Sequence, residues 1–72
     1  MANSTYVIIE LVGTSKESWE DAAKNALSTA SRSLKELRVA EVTKLDMTMD
    51  KGKVTAYRAR LTVSFKYLKG DL

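Results

Sequence analysis

Two carboxylates and two arginines carry most of the chemistry open to this chain. Glu41 and Asp46 fall in one strand-like segment, Arg58 and Arg60 in the next. One residue separates the two arginines, so a strand projects both to the same face. Arginine forks match carboxylate and phosphate geometry, which makes that face a candidate for an anion in a pocket between subunits. The plainer reading is cross-strand pairing, with Glu41 and Asp46 answering Arg58, Arg60 or Lys66. Metal ligation by the carboxylates is the minority reading. Gly13-Thr14-Ser15 precedes a helix and could cradle a phosphate. One glycine is few for that task, and the tripeptide reads as a turn. Histidine and cysteine are absent. Thr14 and Ser15 therefore have no neutral-pH base beside them, and nucleophilic catalysis has no support. Nothing about Glu10, Glu41 or Asp46 in the sequence marks an acid–base catalyst, so an enzyme is not expected.

Composition narrows the setting. A chain of 72 residues makes one small domain, expected to cover 1–72. Such a chain buries only about 60% of its unfolded surface and is marginal alone. Without cysteine no disulfide supports it, which fits a reducing cytosol and a cytoplasmic location. Oligomerisation is the remaining route to stability, and a hydrophobic content of 44% suits it. The net charge of +3, from 12 basic and 9 acidic residues, is small and interspersed. No basic run is interleaved with aromatics, so no nucleic-acid partner is expected. The start Met1-Ala2-Asn3-Ser4 has no basic lead into the apolar run that follows. That run is far below the roughly 20 residues that span a bilayer, so no membrane partner is expected.

The elements that must position these groups follow from periodicity. Strand one covers about Thr5 to Val12. Val7, Ile9 and Leu11 share one face; Tyr6, Ile8, Glu10 and Val12 share the other. A strand apolar on both sides is expected to be buried on both. Ser18 is the predicted N-cap, with Asp21 as its capping-box partner. Trp19, Ala22, Ala23, Ala26, Leu27, Ala30, Leu34 and Leu37 recur at helical spacing, and the helical signal fades near Ser33 to Lys35. The alanines predict a close approach to a sheet, and Trp19 reads as core at the helix start. Strand two runs from Leu37 to Met49. Ala40 and Val42 have one parity, Leu45, Met47 and Met49 the other, which predicts a bulge near Thr43-Lys44. Asp50-Lys51-Gly52-Lys53 reads as a hairpin turn. Strand three alternates from Val54 to Tyr67. Tyr57, Ala59, Leu61, Val63, Phe65 and Tyr67 form the predicted core face, and Lys69-Gly70-Asp71-Leu72 a frayed tail. One helix cannot cover so long a sheet, and a bare apolar face marks an interface.

The order strand-helix-strand-strand, with Val12-Gly13-Thr14-Ser15 before the helix, Val39-Ala40-Glu41-Val42 after it and Val63-Ser64-Phe65 in strand three, resembles the dodecins. The likeness spans Tyr6 to Tyr67. It implies an α+β, βαββ fold, with a three-stranded antiparallel-type sheet wrapped on one helix. It also implies a hollow homododecamer of tetrahedral symmetry, a non-enzymatic shell that binds and stores small ligands. Most characterised dodecins bind flavins such as FMN or riboflavin. In those members a strand-two tryptophan stacks on the isoalloxazine, and alignment on Ala40-Glu41-Val42 puts Val39 there. A strand-three glutamine that reads the flavin's pyrimidine edge falls at Arg58.

Valine offers no aromatic plane, and stacking of a ring is worth roughly 1–3 kcal/mol. Arginine donates but cannot accept. The flavin site thus loses both of its reading groups; a flavin can still enter the cavity between subunits with apolar contact from Val39, and another anionic cofactor suits Arg58 and Arg60 better. Val39, Thr48, Arg58 and Arg60 are the ligand-binding candidates. Ser18-Trp19-Glu20, Arg38-Val39-Ala40, Asp46-Met47 and Val63-Ser64-Phe65-Lys66 resemble the branch without that tryptophan, which includes the calcium dodecins. Calcium needs several oxygen ligands. Glu41 and Asp46 are the metal candidates this resemblance implies, and a site would have to gather carboxylates from several subunits. An empty structural or sequestering shell is the plainest function.

Overall fold

The computed structural model describes residues 5–66. The readings made for Met1 to Ser4, for Tyr67 and for the tail lie outside the described residues. The order is β1 (Tyr6–Ser15), α1 (Trp19–Ala30), β2 (Leu37–Asp50) and β3 (Lys53–Lys66). The sheet order is β1-β3-β2, with both neighbours antiparallel to β3. The central strand is thus the last in sequence, and α1 packs over β1 and β3.

β1 corrects the first expectation. Gly13-Thr14-Ser15 is not a turn: the strand continues to Ser15, pairing Gly13 with Ala59 and Ser15 with Tyr57. Glycine is needed there for proximity. A Cβ on Gly13 would lie 2.0 Å from the Ala22 carbonyl oxygen and 2.8 Å from the Ala26 Cβ. Small residues on both elements let helix and sheet approach, and Ala22, Ala26 and Ala30 are all buried.

The parity read in β1 holds. Val7, Ile9 and Leu11 turn toward the helix, while Tyr6, Ile8, Glu10 and Val12 are exposed on the opposite side. Within the chain this strand is therefore buried on one side only. On β3, Ala59, Leu61, Val63 and Phe65 are buried as expected and Tyr57 is half-buried. Ala59, Leu61 and Val63 form the core with Ala22 and Ala26.

Ser18 caps α1, its hydroxyl accepting from the Asp21 N–H at 3.0 Å. The reciprocal half of the capping box is absent. The Asp21 carboxylate instead accepts from the Ser15 hydroxyl at 2.7 Å. Ser15, at the end of β1, also accepts from the Glu17 N–H and so joins strand to helix. In the sequence the helical signal fades near Ser33 to Lys35; the helix stops a little earlier, at Ala30, and Leu37 opens β2 as expected. Glu36, at φ 61°, turns the chain into that strand.

β2 is irregular, with register shifts between Leu37 and Val39, Val42 and Lys44, and Thr48 and Met49. The middle shift is the predicted bulge. It has a clear effect: Ala40, Val42, Leu45 and Met47 pair with Val63, Leu61, Ala59 and Tyr57, so the parity change leaves all four on the helix side. The Thr43 hydroxyl fixes the bulge by donating to the Arg60 carbonyl at 3.1 Å. The hairpin closes through Lys51 (φ 52°) and Gly52 (φ 77°), two positive-φ positions that fit a two-residue turn of the primed type. No helix among the described residues is long and apolar enough to cross a membrane.

Candidate functional site on the helix-free face

The register brings the candidates to one face. Because inward residues of β3 alternate with outward ones, Arg58, Arg60, Thr62 and Ser64 point away from the helix. Their partners continue the pattern in rows across the sheet. Ser64 lies between Ile8 and Val39, and Thr62 between Glu10 and Glu41. Arg60 lies between Val12 and Lys44, and Arg58 between Thr14 and Asp46. Thr48 pairs with Ala56 one row further toward the hairpin. All six sequence candidates (Val39, Glu41, Asp46, Thr48, Arg58, Arg60) thus share the helix-free face, spread along it rather than gathered at one point.

Arg58 and Asp46 form a two-pronged ion pair. Arg58 Nε donates to Asp46 Oδ1 at 2.7 Å and Nη2 to Oδ2 at 2.8 Å. These charge-assisted bonds hold the Asp46 carboxyl below its usual range, the hydrogen bond from Arg58 being the largest cause. Arg58 is raised in turn by the same bond. The pair occupies groups that would otherwise read a ligand. Thr48 is also engaged, its hydroxyl 2.7 Å from that of Thr55. Trp19 is half-buried rather than core. Its indole N–H donates to the Asp46 carbonyl at 3.0 Å, and its ring meets Tyr57 edge-on with centroids 5.2 Å apart. Trp19 therefore braces the helix start against β2 on the far side from the candidates. The sequence placed Trp19 on the helix stripe, and no pattern within it signalled the bond to β2.

The ion pair gives a pH dependence. A carboxyl whose folded pKa is depressed stabilises the fold above its unfolded pKa and loses that contribution as pH falls through the folded value. The Asp46 contribution should therefore be complete above its ordinary value of 3.8 and fade below it. Both side chains are substantially exposed, so the effect is small. In acid titrations followed by circular dichroism, Asp46→Asn should be less stable than the parent at neutral pH. The two curves should converge in the acid limb. A gap that stays constant to the lowest pH would contradict this assignment.

Glu41 makes no ion pair among the described residues, nor does Glu10 across Thr62. Glu41 instead lines a shallow recess of about 100 Å³ with Ile8, Val39, Thr62 and Ser64. Ile8 and Val39 give it apolar walls, and its other side chains end in a carboxylate and two hydroxyls. The Ser64 hydroxyl reaches the Val39 carbonyl at 3.5 Å. Such a donor set is all oxygen, which suits a hard cation and offers nothing to a soft one. No group of three or more acidic residues among the described residues converges on one point. Val39 also borders a wider groove of about 480 Å³, lined with it by Lys24, Leu27, Leu37, Arg38, Ala40 and Val63. Arg38 is ion-paired with Glu36.

Comparison with known proteins agrees with this architecture. The dodecin family model matches residues 5–68. Calcium dodecin of Mycobacterium tuberculosis is 48% identical over 64 residues, covering 88% of this chain and 89% of that protein. The structure of dodecin from Streptomyces coelicolor superposes with a TM-score of 0.91 at 33% identity, covering 97% of this chain and all of that one. The M. tuberculosis calcium dodecin structure, described as calcium chelating with a novel calcium-binding site, superposes at 0.82 with 43% identity. It covers 96% of this chain and 99% of its own. With the βαββ order, the sheet register and the family match in agreement, this chain belongs to the dodecin family, whose members are non-enzymatic proteins that bind small ligands.

Proposed function

We propose that the protein is a homododecameric shell that binds calcium, rather than a flavin carrier. The recess beside Val39 is the observation that carries this reading. At the position of the family's stacking aromatic, the chain presents a small depression whose polar side chains all end in oxygen. Arg58, at the pyrimidine-reading position, is held by Asp46 rather than free to meet a flavin. The likeness to a calcium dodecin points the same way. Of the two metal candidates, Glu41 carries the proposal, because Asp46 is tied to Arg58. Glu10 joins it from the other side of Thr62.

Calorimetric titration with calcium, set beside fluorescence titration with FMN, tests the choice. Calcium should bind, and Glu41→Gln should weaken it by at least the roughly 10–100-fold that losing an outer-shell partner costs. FMN should bind weakly and keep most of its fluorescence. Absence of calcium binding would sink the proposal. A second reading, an anionic cofactor, rests on Arg60 and Lys44. They are register partners and neither is ion-paired among the described residues. Tight, quenched FMN binding that Arg60→Gln abolishes would favour it.

A further inference from the structure

Arg58 stands in one row of the sheet with Thr14 of β1 and Asp46 of β2. The helix clasps this row at both ends. Trp19 donates its indole N–H to the Asp46 carbonyl at 3.0 Å, and Asn25 donates from Nδ2 to the Thr14 carbonyl, also at 3.0 Å. Trp19 is the first residue of α1, set in place by the Ser18 cap. Its ring meets Tyr57, the chain neighbour of Arg58. Trp19 therefore touches both strands of the ion pair from the opposite side of the sheet.

Those contacts matter because β2 is weakly held here. Lys44 to Thr48 is a short stretch between two register shifts. Its apolar residues Leu45 and Met47 are 52% and 44% exposed, so burial does little to fix the register. A slip of one residue would turn the Asp46 carboxylate to the other face, away from Arg58. The Trp19 bond is to backbone, so it fixes the strand and not merely one side chain. Without Asp46 the face would hold a group of cations: Arg58, and in the adjoining row Arg60 beside Lys44. After the hydrogen bond and charge of Arg58, the charge of Arg60 also lowers the Asp46 carboxyl, so one carboxylate answers both arginines.

We infer that Trp19 is a positioning residue for the helix-free face: by holding the Asp46 carbonyl it keeps the Asp46 carboxylate on Arg58, and so denies Arg58, Arg60 and Lys44 to phosphate-bearing anions. This inference rests on the reading above that Arg58 is held by Asp46, and it is independent of where calcium binds. Trp19 itself touches no ligand. It acts through the register of β2.

Pyrophosphate, an anion with no ring to stack, is the probe, titrated calorimetrically in calcium-free buffer at low ionic strength. Asp46→Asn keeps the backbone carbonyl and loses the carboxylate. It should tighten pyrophosphate binding about tenfold, the worth of one hydrogen bond to a charged group. Trp19→Phe keeps a ring beside Tyr57 and loses the N–H, and should give much of the same gain. The double variant should bind no more tightly than Asp46→Asn, and Arg58→Gln should cancel the gain in either background. Circular dichroism confirms that each variant is folded. If phenylalanine disrupts the fold, benzothienylalanine in place of Trp19 removes the N–H alone and gives the same comparison. A Trp19 that merely stabilises the fold would lower Tm on substitution and leave pyrophosphate binding at the parent's level. That result, beside a gain in Asp46→Asn, overturns the inference. If Asp46→Asn gains nothing either, the reading of Arg58 as a withheld group falls with it, while the calcium titration judges the calcium reading separately.

Discussion

Gly13→Ala should be among the most damaging single substitutions in this protein. The added methyl would sit 2.0 Å from the Ala22 carbonyl oxygen, inside any possible contact distance. The atom in the way is backbone, not the end of a flexible side chain, so the helix as a whole must retreat. That retreat would open the Ala22–Ala26 contact with Leu61 and Val63, the largest fully buried side chains of the core. Overpacking costs about 1–3 kcal/mol and sometimes more, and a domain this size loses about 4–8 °C in Tm for each kcal/mol. A fall in Tm on the order of 15 °C is expected. Gly52→Ala is the control. Nothing lies within 4 Å of its added Cβ, and only its φ of 77° opposes a side chain, at about 1–2 kcal/mol. Calorimetry should rank Gly13→Ala well below Gly52→Ala in stability. Equal losses would mean that the close helix–sheet approach does not govern this fold.

Ile8→Asp should dissolve the particle. Ile8 lies on the face away from the helix, and the substitution removes nothing from the chain's own core. The single chain should keep its helix and sheet. In an assembled shell, each copy would instead place a carboxylate in an apolar contact beside Glu10 and Glu41. Burying an unpaired charge is costly enough that such a contact opens or the group neutralises. Light scattering should show small species at concentrations where the parent is one large particle, with the helical dichroism retained. A particle of unchanged size would show that Ile8 faces solvent or the interior of the shell.

Much of the fold was legible because it depends on side-chain period. The alternation of β3 and the two faces of β1 needed only the identity of alternate residues. The bulge at Thr43 was visible as a change of parity between Val42 and Leu45. Gly13-Thr14-Ser15 misled because glycine beside two hydroxyl residues is turn chemistry, whereas here glycine serves contact with Ala22 across the chain. The helix end read from the sequence, near Ser33 to Lys35, falls a few residues late because Leu34 continues the apolar spacing past Ala30, where α1 stops with Ser31 as its C-cap.

The candidate site was legible as residue types and not as an arrangement. Arg58 and Asp46 were both named, but their bidentate pairing depends on the antiparallel register of β2 on β3, which the bulges set. The recess at Val39 needs Ile8 and Ser64, which belong to strands far apart in sequence. No local pattern announces it.

Native mass spectrometry of the purified protein tests the central claim most directly, since one spectrum gives both assembly and ligand. The account predicts a particle of twelve chains of 8.0 kDa, carrying calcium that EGTA removes and Glu41→Gln does not retain. A stable monomer or dimer would contradict the assembly. A dodecamer carrying flavin and no calcium would contradict the reading of Val39 and Glu41.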